Sequence, residues 1–274
     1  MKEILFEEAK KIELDILLDL AEFCEKHGLR YFMAYGTLLG AVRHGGFIPW
    51  DDDVDVQMPR QDYNELIRMY NVEKVGSYYR LISPEDPISR HSYIKIIDTR
   101  TIKIEKNVDY SAGMLGIDID IFPIDGQPDD NAEFEKWYGK LQRIYWAYVC
   151  HVLKPQRKLK HMGILLIRVL SGSKERLRNK AARLHQMYPY ESSAFVGAVE
   201  SCFNFKGNRV QKSCYESYKL MSFEGHMLKA PVGYDTVLTK MYGDYMKLPP
   251  KEKQVTHHSN NVYWKEGLED GEKI

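Results

Sequence analysis

Hydrophobic positions recur along this chain with two different periods, and the switches between them mark out its elements. Over residues 3–27, Ile12, Ile16, Leu20 and Phe23 fall at helical spacing with acids and lysines between them, which predicts an amphipathic helix. His27-Gly28 is its stop signal. Leu29 to Tyr35 is short, apolar and aromatic and predicts a buried strand, with Gly36 as the turn and Thr37 as the cap of a short helix through Val42. A second strand carries Val54 and Val56 toward the core, and Pro59 closes it and leads into a helix over 60–70. SYIKIID (92–98) and TIKIE (101–105) alternate as the two arms of a hairpin. GIDIDI (116–121) alternates most regularly, with isoleucines on one face and Asp118 and Asp120 on the other.

Beyond Pro128 the period changes. Residues 130–188 read as mostly helical, with Trp137, Tyr138, Ile144, Tyr145, Trp146 and Val149 as apolar bulk. A helix is expected over 234–242 after a Gly/Pro loop, and the tail 269–274 is polar and loose. The order of elements predicts an α+β chain: a mixed β-sheet with flanking helices over 1–128, then a mostly helical half over 129–268, whose segment 218–260 is expected to return to the active site.

The acidic strand is where composition becomes chemistry. Side chains two apart on a strand share a face, so Asp53 and Asp55 stand with Cα atoms roughly 7 Å apart. Two carboxylates so placed repel unless a cation sits between them, and Mg²⁺ takes one or two carboxylates together with substrate phosphates. Asp51 and Asp52 precede the pair, and an acid run by itself is most often a solvated face. The valines that anchor the strand and the Gly turn upstream favour the metal. A glycine opening a helix presents N–H groups that cradle phosphate, which makes Gly36 and Thr37 candidates for that role. Asp120, with Asp118 as its rival, is the third carboxylate, serving as a further ligand or as a general base. Arg43, His44 and Lys95 are candidate phosphate partners, and sequence alone does not fix the direction of Lys95. Asp244 and His257, in the C-terminal segment, are further candidates for substrate or phosphate binding, and adjacent His257-His258 do not make a metal site on spacing.

Charge and cysteine content narrow the class. The chain has 39 basic and 39 acidic residues, a balance that argues against charge-driven nucleic-acid binding. Cys24, Cys150, Cys202 and Cys214 are scattered, with no zinc or disulfide spacing, so a reducing, cytoplasmic setting is expected. The first residues are charged, unlike a secretory signal. Residues 154–183 hold ten Lys/Arg and one acid around GILLIRVL. This stretch is either an exposed helix pair with a buried seam or a peripheral contact with the inner face of an anionic membrane.

With these residues placed, the chain resembles the LicD family of phosphotransferases, relatives of fukutin and the fukutin-related proteins within the nucleotidyltransferase superfamily. The likeness lies in YGTLLGAVRHGGFIPWDDDVDV (35–56), YIKIIDTRT (93–101), GIDIDIFPID (116–125) and YGDYMKLPP (242–250) followed by His257, whereas 130–215 carries no such motif. The resemblance implies a nucleotidyltransferase-like core. Gly36-Thr37 takes the place of the family's Gly-Ser/Thr turn, Asp53 and Asp55 that of its acid pair, and Asp120 that of its third acid. It implies a Mg²⁺-dependent enzyme, with Mn²⁺ as the alternative ion, that moves phosphocholine from CDP-choline, or a related alcohol phosphate such as ribitol phosphate from its CDP donor. The acceptor would be a glycan hydroxyl, as in teichoic acid or surface polysaccharide precursors, and CMP would be released. Two other classes use overlapping features: a nucleotidyltransferase releasing pyrophosphate from an NTP, and a non-catalytic nucleotide-binding module.

Overall fold

A computed structural model of the chain describes residues 1–89, 91–104, 113–152, 158–199, 208–256 and 261–266. They form two compact units, one of residues 1–106, 110–123 and 213–274, the other of 107–109 and 124–212.

The first unit opens with α1 (Phe6–His27). Its apolar stripe is buried through Ile16, Leu17, Leu20 and Phe23, and it stops where Gly28 takes a left-handed φ of 65°. The predicted strand after it is only β1 (Phe32–Met33), because α2 (Tyr35–His44) starts earlier than expected. The turn residue is Tyr35, at φ 44°, and Gly36 already lies within the helix. Gly36 leaves room for another group: a Cβ there would meet the carboxylate of Asp51, which would have to swing aside. Thr37 does not cap α2. Ala34 is the N-cap, without a side-chain bond, and the Thr37 hydroxyl instead accepts the Asp55 N–H at 2.8 Å.

β2 (Asp55–Pro59) runs straight into α3 (Arg60–Glu73), as the Pro59 signal predicts. The strands β3 (Tyr79–Ile82), β4 (Ile94–Asp98) and β6 (Asp118–Gln127) complete the central sheet in the order β1-β2-β6-β4-β3. Val54, Val56, Ile94, Ile96, Ile119 and Ile121 are wholly buried. The predicted hairpin between 92–98 and 101–105 does not form. β4 pairs antiparallel with β3 and β6, while β5 (Thr101–Ile104) pairs with β11 (Asn261–Trp264). The chain leaves β4 at a buried corner, where Arg100 grips Asp98 through Nη2 at 2.6 Å and Nε at 3.0 Å. The Arg100 guanidinium lies 3.5 Å over the ring of Tyr78. This fork-to-carboxylate pair carries the chain away from β4.

Late in the chain, β9 (Tyr218–Phe223) and β10 (His226–Pro231) form an antiparallel hairpin with Glu224 and Gly225 as its turn, both at positive φ. α7 (Tyr234–Tyr242) follows with the predicted bounds.

The second unit carries the predicted helices: α4 (Asn131–Val152), α5 (Lys158–Ser171) and α6 (Lys174–His185). Phe134, Trp137, Tyr138, Leu141 and Tyr145 pack with Ala181 and Val199. The end of β6 pairs with β7 (Phe195–Gly197), which pairs with β8 (Val210–Gln211). In its interior the Tyr145 hydroxyl meets His185 Nε2 at 2.6 Å, and Asp125 stands 3.6 Å from the other ring nitrogen.

Candidate active site

The first unit brings the predicted acids to neighbouring strands. Asp55 opens β2, with Asp53 just before the strand proper, and Asp118 and Asp120 begin β6 beside it. The Asp120 N–H donates to the Val54 carbonyl at 2.9 Å and so fixes the register of the two acidic segments. Asp53 and Asp55 are partly exposed. Among the described residues, neither carboxylate has a hydrogen-bond or ion-pair partner. Burial, then the charges of Asp53, Asp120 and Asp51, push the Asp55 carboxyl well above the usual range, with Lys95 opposing.

Asp118 and Asp120 are held differently. The Lys95 ammonium bridges both carboxylates, and Lys103 Nζ reaches Asp118 at 2.9 Å. Lys95, expected as a phosphate partner, therefore has its charge matched by two carboxylates. It sits opposite Asp120 in the β4–β6 register, so its direction follows from strand pairing that sequence could not supply. Burial pulls the Lys95 ammonium down, but Asp118 and Asp120 outweigh it and raise it well above the ordinary lysine range. Lys103 is likewise pushed up to about 12, Asp118 overcoming burial. Burial disfavours ionised Asp118, yet Lys103 and Lys95 hold it below the usual carboxylate range. Asp120 goes the other way: burial and Asp118 raise it more than Lys95 lowers it. The Tyr93 hydroxyl donates to Asp120 at 3.1 Å. The two rival acids thus differ in kind: Asp118 is an ion-paired anchor and Asp120 a more basic carboxylate.

Gly36 and Thr37 lie in the first turn of α2, whose Thr37 hydroxyl ties it to the start of β2. At the other end of α2, Arg43 donates from Nη1 to the Tyr245 carbonyl at 2.9 Å and from Nε to His44 Nδ1 at 3.5 Å. The His44 ring meets Trp50 edge-on. Asp244, next to Tyr245, is exposed just beyond α7. His257 lies outside the described residues.

Two contributors, Lys103 and Glu13, escape sequence reasoning, and a third, Tyr242, enters it only within the YGDYMKLPP motif. Lys103 was one alternating position among several. Tyr242 ends α7, and burial together with Asp55, Asp51 and Asp53 raises its hydroxyl. Glu13 of α1 is buried with its Oε2 unpartnered, and electrostatically it feels Lys103, Asp118, Asp53 and Asp52. An acid on the apolar side of the α1 pattern, between Ile12 and Ile16, was the available signal. A separate cavity of about 420 Å³, lined by Glu7, Lys10, Phe47 and Glu224 among others, holds none of the predicted site residues.

Among the described residues, no three His, Cys, Asp or Glu side chains stand close enough to hold an ion, so Asp53, Asp55 and Asp120 are not gathered as a three-carboxylate cage. A pair of partnerless carboxylates, one raised by burial and by its acidic neighbours, does suit Mg²⁺, which needs one or two protein carboxylates when substrate phosphates supply the remainder.

Comparison with known proteins agrees with this core. Residues 28–168 match the LicD/FKTN/FKRP nucleotidyltransferase domain. Lipopolysaccharide cholinephosphotransferase LicD of Haemophilus influenzae is 30% identical over 268 residues, covering 96% of this chain and 99% of that protein. Ribitol 5-phosphate transferase FKRP of Homo sapiens is 43% identical over 49 residues, 18% of this chain and 10% of that one. The protein belongs to the LicD/FKTN/FKRP nucleotidyltransferase-domain family.

Proposed function

We propose that this protein is a phosphotransferase acting on cell-surface glycans. It moves phosphocholine, or a similar alcohol phosphate, from a CDP-linked donor to a hydroxyl of a lipopolysaccharide or teichoic acid precursor and releases CMP. One observation carries the choice of substrate class: the likeness to a lipopolysaccharide cholinephosphotransferase runs over nearly the whole of both chains. The paired carboxylates beside the start of α2 support the chemistry.

Asp53 and Asp55 would hold Mg²⁺, or Mn²⁺ in its place, and the ion would supply charge neutralisation for the diphosphate and the departing CMP. The chain's own residues position the reactants and take up the acceptor's proton. The first turn of α2, at Gly36 and Thr37, offers backbone N–H groups to a phosphate oxygen. Arg43, steadied by the Tyr245 carbonyl, adds positive charge. The acceptor hydroxyl oxygen forms a bond to the phosphorus carrying the alcohol, and the bond from that phosphorus to the CMP oxygen breaks. Asp120 accepts the hydroxyl proton, a role that suits a carboxyl raised above its usual range. Lys95 and Tyr93 hold that carboxylate in place. Phosphoryl transfer leaves little covalent work to the protein, so positioning and charge account for most of the rate.

The product identifies the reaction. Purified protein incubated with CDP-choline, Mg²⁺ and a crude lipid-linked glycan fraction is expected to release CMP. Release from CDP-ribitol or CDP-glycerol alone would keep the class and change the alcohol. Pyrophosphate formed from an NTP, with no CMP from any CDP donor, would overturn the proposal in favour of nucleotidyl transfer.

A further inference from the structure

The second unit carries a helix whose apolar face points outward. α5 lies against α4 by one edge: the Arg168 guanidinium donates to the Cys150 carbonyl at 2.7 Å, and Ser171 Oγ lies 3.0 Å from His151 Nε2. Ile164, Arg168 and Ser171 are accordingly half-buried. At 100° per residue these three positions share one side of the helix, and Leu165, Leu166, Val169 and Leu170 occupy the opposite arc. Those four side chains are 53%, 59%, 73% and 76% exposed. A surface helix ordinarily turns its apolar stripe inward, so α5 is inverted. A contiguous exposed apolar face of this kind marks a surface that docks on something.

The charge around it says what. The chain passes from Leu170 through Gly172-Ser173 directly into α6, where Lys174, Arg176, Lys180 and Arg183 are exposed and Glu175 is the sole acid of the helix. A purely aliphatic face followed directly in the chain by an exposed cationic helix complements an anionic lipid surface, with the side chains entering the acyl boundary and the cations meeting the headgroups. At 14 residues the helix is about 21 Å long, short of the ~30 Å hydrocarbon core. No helix among the described residues is long and apolar enough to cross a membrane.

We propose that the outward face of α5, through Leu165, Leu166, Val169 and Leu170, with the exposed cations of α6, docks the protein peripherally on an anionic membrane. The surface lies wholly in the second unit, and the inference stands apart from the transferase chemistry.

Vesicle flotation of the full chain tests it without donor or acceptor. The wild-type protein is expected to float with phosphatidylglycerol-containing vesicles and not with pure phosphatidylcholine, and to lose binding as salt shortens the Debye length to about 3 Å at 1 M. Leu166→Glu/Leu170→Glu should cut flotation by about tenfold or more. Lys174→Glu/Arg183→Glu should weaken it and flatten its salt dependence. Both variants should keep the wild-type circular dichroism and melting temperature, since none of the four residues is buried. Wild-type protein that stays out of anionic vesicles at low salt overturns the proposal. So does flotation untouched by either double variant. Self-association of the wild type that Leu166→Glu/Leu170→Glu dissolves, with no vesicle binding, would assign the face to a second copy of the chain instead.

Discussion

Thr37 Oγ1 accepts the backbone N–H of Asp55 at 2.8 Å, across eighteen positions of sequence. The bond joins the first turn of α2, the turn proposed to offer N–H groups to phosphate, to the first residue of β2. Thr37→Ser keeps the acceptor, whereas Thr37→Val removes it and leaves a part-buried N–H without one, a loss of about 1–3 kcal/mol. Thr37→Val is expected to lower the urea midpoint and to slow CMP release by roughly ten- to a hundredfold. Thr37→Ser should stay close to wild type in both.

Lys95 neutralises two acids at once, and its removal should be felt in stability before catalysis is considered. Lys95→Met leaves Asp118 with Lys103 alone and Asp120 with only the Tyr93 hydroxyl. Breaking a buried ion pair on one side costs about 3–5 kcal/mol. Adding Asp120→Asn to Lys95→Met should restore part of that stability without restoring transfer. Equal urea midpoints for Lys95→Met and the double variant would show that Asp120 is not the uncompensated charge.

Glu13 gives the pH dependence a sign. Burial raises its folded-state carboxyl well above the ordinary value, so the native state binds its proton more tightly than the unfolded chain does. Its contribution to stability therefore falls as pH rises from the unfolded value of about 4.3 toward the raised folded value, by at most ~1.4 kcal/mol per unit. Glu13→Gln should match the wild type near the bottom of that window and exceed it at neutral pH. Paired urea titrations at the two ends of the window measure the difference. A gap that stays constant with pH would mean that Glu13 is not the titrating group.

The parts of this fold that could be read in advance are those that depend on near neighbours in sequence. The α1 stripe and its Gly28 stop, the Pro59 junction and α7 all follow from local spacing. Partner choice does not. Alternation in SYIKIID and TIKIE tells which side chains share a face, but not which strand lies alongside. The Asp98–Arg100 corner sends β5 to a strand more than 150 residues later. The β9–β10 hairpin lacked its usual Asn-Gly or Asp-Gly marker, because Glu224 takes the positive φ instead. At the site, the period of two put Asp53 with Asp55 on one face and Asp118 with Asp120 on another, but that β2 and β6 are neighbours follows from the strand pairing alone. What separates the last two is Lys103, whose direction is set by tertiary pairing. Lys95 and Thr37 are both turned toward the acidic strands, Lys95 to Asp118 and Asp120 and Thr37 to the Asp55 N–H.

Asp53→Asn tests most directly whether Asp53 and Asp55 hold the metal. It is nearly isosteric and removes one charge from a partly exposed side chain with no partner among the described residues. The fold should persist by circular dichroism, while Mg²⁺-dependent CMP release falls at least about a hundredfold, beyond the 10–100-fold typical of a residue that only supports a metal ligand. Near-normal CMP release by Asp53→Asn, or wild-type release that is indifferent to metal chelation, would contradict metal binding by the pair.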